Sequence, residues 1–232
     1  LKWCKKSNPG GLGQGNGGGC VSWHSHMLVL EKAYEKSTNN TVEFSNPDST
    51  RKFRQWLVGF VDDNSLLFSI KNLGYEAPAV KLIEEAKNSL EKWQRLVHIS
   101  GGELELIKSS YSVMAWKLAE GKEKLCGIEE APGSLRLRSE KYKGMEVEVK
   151  RNEVHSAERQ LGVRLSMDGN DNDEYVFRLE QSKALAGKVL ASPFNRKDAE
   201  IIYRERWLAS VGYCLPVTQF TLKQSKAIES PF

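Results

Sequence analysis

Residues Gly59–Ser69 read GFVDDNSLLFS, two adjacent aspartates set between strongly apolar runs. WLVGFV (Trp56–Val61) lies on one side and SLLFS (Ser65–Ser69) on the other. Short Val-, Leu- and Phe-rich runs separated by turn formers predict a β-hairpin over about 54–70, with Asp62, Asp63 and Asn64 at its tip. Asp and Asn suit a turn because their side chains bond nearby backbone amides. Two carboxylates side by side on a rigid hairpin are equally the hard oxygen donors that a divalent cation takes. A plain turn and a metal-binding turn both satisfy this stretch.

The chain has 232 residues, enough to bury a substantial core as one large domain or a domain with an appendage. With 40% hydrophobic and 28% charged residues it is globular in composition and not disordered. No apolar run approaches the roughly 20 residues that span a bilayer. The opening LKWCKKSNPGG has a basic start but no apolar secretion core. Cys4, Cys20, Cys126 and Cys214 are scattered, which argues against a zinc site or a disulfide framework and for a reducing compartment. The expected location is therefore intracellular, in cytoplasm or nucleus, with no membrane partner. A net charge of +4 is compatible with nucleic acid without demanding it.

Outward from the hairpin, residues 7–19 form a glycine-dense loop, and CVSWHSHMLVLEKAYEK suits a helix. STNNTVEFSNPDST is turn-rich and breaks that pattern. Downstream, Ala79, Leu82, Ile83, Ala86, Leu90, Trp93 and Val97 form one helical stripe, with Gly101–Gly102 just past its end. ELELIKSSYSVMAW reads as strand, and SLRLRS, MEVEVKR and RQLGVRL alternate with period two, predicting a small antiparallel sheet with one wet face. From about 170 the pattern is helical, with capping-box spacing at Asp171/Glu174 and Thr221/Gln224 and breaks at Pro193, Gly212 and Pro216.

Several motifs carry less than they promise. Gly13, Gly15 and Gly18 satisfy GxGxxG, but no apolar strand precedes them, so a dinucleotide site is not expected. Asp168–Glu174, DGNDNDE, alternates like a calcium loop, yet Asp173 stands where glycine is needed and Leu179 where glutamate is needed. It reads as a turn into a capped helix. His24, His26, His98 and His155 lack ligand spacing and read as structural or surface residues.

The order of these motifs is more specific than any one of them. A glycine loop containing GQGN, a helix, FVDD, a long amphipathic helix, GGELELIKSSY and LGVRL together resemble the second half of a reverse transcriptase palm, as encoded by retrotransposons. The patterns LEKWQRLVHISGGELEL, SAERQLGVRLSMDGN and the closing ERWLASVGYCLPVTQFTLKQSKAIESPF extend the likeness over nearly the whole chain. The implied fold class is α+β: a partial polymerase palm over 1–120, a small β element with a primer-grip-like region over 121–167, and a helical thumb-like region over 168–232.

The resemblance implies a role for particular residues. Gln14 and Gly15 would contact template and incoming nucleotide. Asp62 would be the main ligand for Mg²⁺ (or Mn²⁺), with Asp63 assisting, and Lys108 would neutralise the pyrophosphate leaving group. Leu161 and Gly162 would grip the primer end, and the terminal helices would hold duplex phosphates. The implied reaction is two-metal nucleotidyl transfer on an RNA template and a DNA primer from deoxynucleoside triphosphates. A third carboxylate, expected upstream of the glycine loop, would come from a preceding part of the same polyprotein, so the chain by itself is expected to be inactive. A non-catalytic nucleic-acid-binding remnant and a purely structural module stand as alternatives.

Overall fold

A computed structural model describes residues 17–38, 41–60, 63–70, 79–139 and 144–232, with residues 17–22, 60 and 63 described by their backbone alone. The fold is α+β, and the chain divides into two compact units. The first comprises Leu1–Tyr111, Ala115–Lys124 and Ile128–Arg151; the second comprises Ser112–Met114, Leu125–Gly127 and Asn152–Phe232. Among the described residues no helix is long and apolar enough to cross a membrane.

In the first unit, helix α1 (Gly17–Ser37) and helix α2 (Ala79–Ile99) pack together. α1 buries Met27, Leu30 and Tyr34, which recur at helical spacing, and α2 buries Ala79, Ile83 and Trp93. Met27, Leu30, Tyr34 and Trp93 meet Leu57 in a core closed by aromatic contacts. The Tyr34 ring stands edge-on to Trp93, with centroids 5.5 Å apart, and tilts against Trp56 at the same distance. Burial pushes the Tyr34 phenol pKa up, opposed by the Ser89 and Thr38 hydroxyls. The predicted stripe of α2 is the packed face, and the helix ends where the glycines stand. Gly101 takes φ +91°, and the Gly102 amide donates back to the Val97 carbonyl at 2.9 Å.

The strands pair two by two. β1 (Val42–Ser45) and β2 (Lys52–Gln55) form an antiparallel hairpin in a segment expected to be only turn-rich. Its turn residues make the loop: the Asp48 carboxylate accepts from the Thr50 amide at 3.1 Å, and Asn46 Oδ1 accepts from the Arg51 amide at 2.8 Å. β3 (Leu57–Phe60) and β4 (Asp63–Leu66) form the predicted second hairpin.

After α2 the expected strand over 103–116 is mostly irregular, with a turn at 106–108. The Ser109 amide donates to the Glu105 carbonyl, satisfying the backbone locally, while the turn still buries Leu106. Only β5 (Ser110–Tyr111) is extended there, and β6 (Trp116–Ala119) pairs with β7 (Lys122–Leu125). β8 (Arg136–Ser139) and β9 (Met145–Glu148) are antiparallel, with Leu137 and Ser139 buried and Arg136 and Arg138 exposed, as period two requires. β10 (Lys150–Arg151) runs parallel to β5. The alternation therefore builds separate two-stranded ladders among the described residues, where one small sheet was expected. Strands of two to four residues make each of these ladders short.

In the second unit, β11 (Glu158–Gln160) and β12 (Val163–Leu165) form an antiparallel hairpin against α3 (Asn172–Leu190). The chain continues through α4 (Arg196–Ile202), a π-helical turn over Tyr203–Leu208, α5 (Ala209–Cys214) and a 3-10 turn over Leu215–Val217, ending in α6 (Leu222–Glu229). Gly212, expected as a break, lies inside α5. Thr221 and Gln224 close the predicted capping box of α6, and Asn195 with Asp198 closes another on α4. Asp171 and Glu174 do not. The Asp171 carboxylate accepts instead from the Gln219 amide at 2.6 Å, and Glu174 turns inward.

Replacing Trp93 with Ala is expected to cost about 3–5 kcal/mol, as for other large buried aromatics. Removing the exposed Phe53 ring, stacked only on Phe44, should cost about 1 kcal/mol. Urea unfolding followed by circular dichroism separates the two. Equal losses would show that the α1–α2 aromatic core does not dominate the first unit.

Candidate functional site

The acidic hairpin is positioned by its strand register. Leu57 pairs with Leu66, Val58 with Ser65, Gly59 with Asn64 and Phe60 with Asp63. Leu57 anchors the hairpin in the aromatic core between α1 and α2. Gly59 gives Asn64 room, because a Cβ there would stand 2.9 Å from Asn64 Oδ1. Asp63 and Asn64 thus belong to β4 and not to the turn where they were expected: pairing with Phe60 and Gly59 overrides their turn preference. Val61 and Asp62 lie outside the described residues, as do Gln14 and Gly15. Among the described residues, no group of three or more His, Cys, Asp and Glu side chains converges as a metal site.

Lys108 is exposed and sits in the turn after α2, its amide donating to the Glu105 carbonyl at 3.1 Å. The expected strand placement is thereby replaced by a turn.

Leu161 and Gly162 are the two-residue turn of the β11–β12 hairpin. Both have positive φ, +49° and +91°, the pattern of the tight turn that matches strand twist. Beneath them lies a buried polar network that the sequence reading missed. Glu174 is fully buried and Arg178 nearly so. Arg178 Nε donates to Glu174 Oε1 at 2.6 Å, and the Arg164 amide donates to Glu174 Oε2 at 2.8 Å. Arg178 extends its other nitrogens to the Gly162 carbonyl at 3.2 Å and the Ser210 hydroxyl at 2.8 Å. The Arg164 guanidinium lies over the Phe177 ring at 3.5 Å. The available signal was the Glu-to-Arg spacing of four on a helix. A capping-box reading of Glu174 had already claimed one partner.

A second cluster follows the hairpin. Asp168 accepts from the Ser166 hydroxyl and the Asn170 amide, and its other oxygen lies 2.8 Å from His155 Nδ1. The Ser166 bond first, and the His155 bond next, hold the Asp168 carboxyl at about 2, below its usual 3.8. Ser166 bonds the carboxylate and not the imidazole, so this is no nucleophile relay. It fixes the turn into α3, which agrees with reading DGNDNDE as a turn.

Charge is divided unevenly along the chain. Residues 152–232 hold eleven Lys and Arg against eleven Asp and Glu, so the net +4 resides in residues 1–151. Comparison with protein-family models, curated proteins and solved structures finds no match.

The depressed Asp168 pKa fixes a pH dependence. Its ionised form is favoured by the fold, so its contribution is complete above about 3.8 and disappears as pH falls through about 2. Asp168→Asn should therefore unfold at lower urea than the parent at pH 6, with the gap closing between about pH 4 and pH 2. A gap that stays constant over that range would refute the assignment.

Proposed function

We propose that this chain is the C-terminal part of a reverse transcriptase domain of a retrotransposon, an RNA-directed DNA polymerase. The observation that carries the reading is the β3–β4 hairpin, in which Phe60 pairs with Asp63 across the two ends of FVDD and Leu57 is anchored in the core. A polymerase needs its carboxylates on such a rigid support, since a misplacement of ~1 Å can cost about 100-fold in rate.

In this reading Asp62 and Asp63 would hold Mg²⁺ (or Mn²⁺), assisted by a third carboxylate from another segment of the same polyprotein. Bound there, the metal supplies a lowered pKa for the primer hydroxyl and charge neutralisation at the triphosphate. Lys108, exposed on its turn, meets the charge developing on pyrophosphate. Gln14 and Gly15 lie against the template base and the incoming nucleotide, where glycine lets backbone approach closely. Leu161 and Gly162 bear on the primer end. The partners are an RNA template, a DNA primer and deoxynucleoside triphosphates. The uneven charge supports phosphate contacts mainly by residues 1–151, since the helical tail is neutral as a whole.

The test is primer extension on an RNA template, using the chain together with the reading frame immediately upstream of it. Extension should require Mg²⁺ or Mn²⁺. Asp62→Ala should lower it by roughly 100-fold or more, because each ~1.4 kcal/mol of lost transition-state stabilisation is a factor of ten. Asp63→Ala should cost less. A folded protein that binds duplex in a salt-dependent way but never extends a primer would instead establish a non-catalytic binding module. One that does neither would leave the acidic pair a structural role alone.

A further inference from the structure

The β1–β2 hairpin keeps two chemistries on opposite faces. Its register sets Phe44 opposite Phe53 on one face, and the Glu43–Arg54 and Ser45–Lys52 pairs on the other. Pairing continues one step beyond the strands, where the Asn46 amide donates to the Arg51 carbonyl at 3.1 Å. Period two therefore places Arg51 on the aromatic face, two residues from Phe53. On the other face Glu43 lies 3.2 Å from Lys52 and 3.5 Å from Arg54, so one carboxylate serves both cations. Arg51 is exposed, and its guanidinium has no ion pair or hydrogen bond among the described residues.

The two rings are stacked in solvent. Their centroids lie 5.1 Å apart with 17° between the planes, yet Phe44 is 39% exposed and Phe53 58%. Such a pair steadies a ladder, but steadying does not require so much open ring. The hairpin is also pinned at both ends. In the turn, Asn46 Nδ2 donates to the Thr50 hydroxyl at 2.9 Å, and that hydroxyl donates to the Asp48 carboxylate at 2.8 Å. At the base, the Ser69 hydroxyl donates to the Thr41 carbonyl at 2.8 Å. An apolar protein surface laid on this face would desolvate Arg51 without giving it an anion. A polynucleotide supplies both needs, since every base has a ring face to stack and every link carries a phosphate. Bases within a duplex already stack on one another, so the open ring selects an unpaired strand.

We propose that the Phe44–Phe53 face is a stacking platform for an unpaired polynucleotide strand, with a base on Phe53, Phe44 backing it, and Arg51 on the adjoining phosphate. The polymerase reading gives this hairpin no role, and the platform does not depend on it. Contact through one ring pair and one phosphate is tolerant of sequence.

The full chain is titrated with a labelled deoxythymidine strand of about 12 nucleotides and read by fluorescence anisotropy. Phe53→Leu keeps apolar bulk but loses the ring, and should lower affinity about tenfold, whereas Phe53→Trp should bind at least as tightly as the parent. Arg51→Gln removes no bond within the chain, so its Tm should match the parent's while the slope of log affinity against log salt flattens by about 0.7. Lys52→Gln, on the opposite face, should stay within about twofold of the parent. Ultraviolet crosslinking of an iodouracil-substituted strand should map to Phe44 or Phe53 by mass spectrometry. If Phe53→Leu fails to fold, Arg51→Gln and the crosslink decide. Unchanged affinity in a folded Phe53→Leu, equal losses with Arg51→Gln and Lys52→Gln, or crosslinks only elsewhere would each overturn the platform. So would a parent that ignores single strands and instead self-associates through Phe53, which assigns the face to a second copy. Primer extension without binding at this face upholds the polymerase reading alone; binding here without extension upholds the platform alone.

Discussion

The second unit turns on one ion pair. Glu174 and Arg178 sit one turn apart on α3, with 0% and 5% of their side chains exposed. Two charges in such a place are costly to desolvate, and neither is left unpaired. The carboxylate uses one oxygen for the guanidinium and the other for a strand amide; the guanidinium uses the rest of its fork for a turn carbonyl and a hydroxyl. Removing either partner would strand the other, which typically costs about 3–5 kcal/mol. The hairpin, α3 and α5 therefore stand or fall together. Next to the pair, the Trp207 indole donates to the buried Ser182 hydroxyl at 2.7 Å, and Tyr203 and Phe232 pack on the indole ring. The apolar part of this core is thus assembled around a polar skeleton.

The first unit is built on a different principle. Tyr34, Trp56 and Trp93 form a dry aromatic junction where two long helices meet a hairpin. Burial of large rings is non-directional and strong, so it tolerates an irregular set of short ladders around it. What it fixes well is the root of the β3–β4 hairpin, through Leu57.

Much of the local structure was legible. The stripe from Ala79 to Val97 declared α2, and Gly101–Gly102 declared its end, because helix period and left-handed glycine are both local properties. The alternation in SLRLRS and MEVEVKR declared β8 and β9 for the same reason. Reading failed where partners are distant. Turn-rich STNNTVEFSNPDST hid a hairpin, since its Asn and Asp served the loop while Val42–Ser45 found a strand at Lys52–Gln55. ELELIKSS alternates like a strand, yet the turn after α2 buries Leu106 without one. Of the candidate site residues, Asp62–Asp63 stood out as acids between apolar runs, whereas Leu161–Gly162, expected within a strand, form the turn between β11 and β12.

The sequence by itself determined the long helices, the hairpin around FVDD, the strand character at LGVRL, and the ordered motifs on which a polymerase reading rests. These follow from periodicity and turn chemistry acting over a few residues. Only the tertiary structure decided that Asp63 is strand and not turn, that Lys108 sits on a turn, and that Glu174 abandons a cap for Arg178. Each of those outcomes is set by strand register or burial, which outweighs the local preference of the residue: pairing with Phe60 for Asp63, the turn that buries Leu106 for Lys108, and the buried bonds to Arg178 and the Arg164 amide for Glu174.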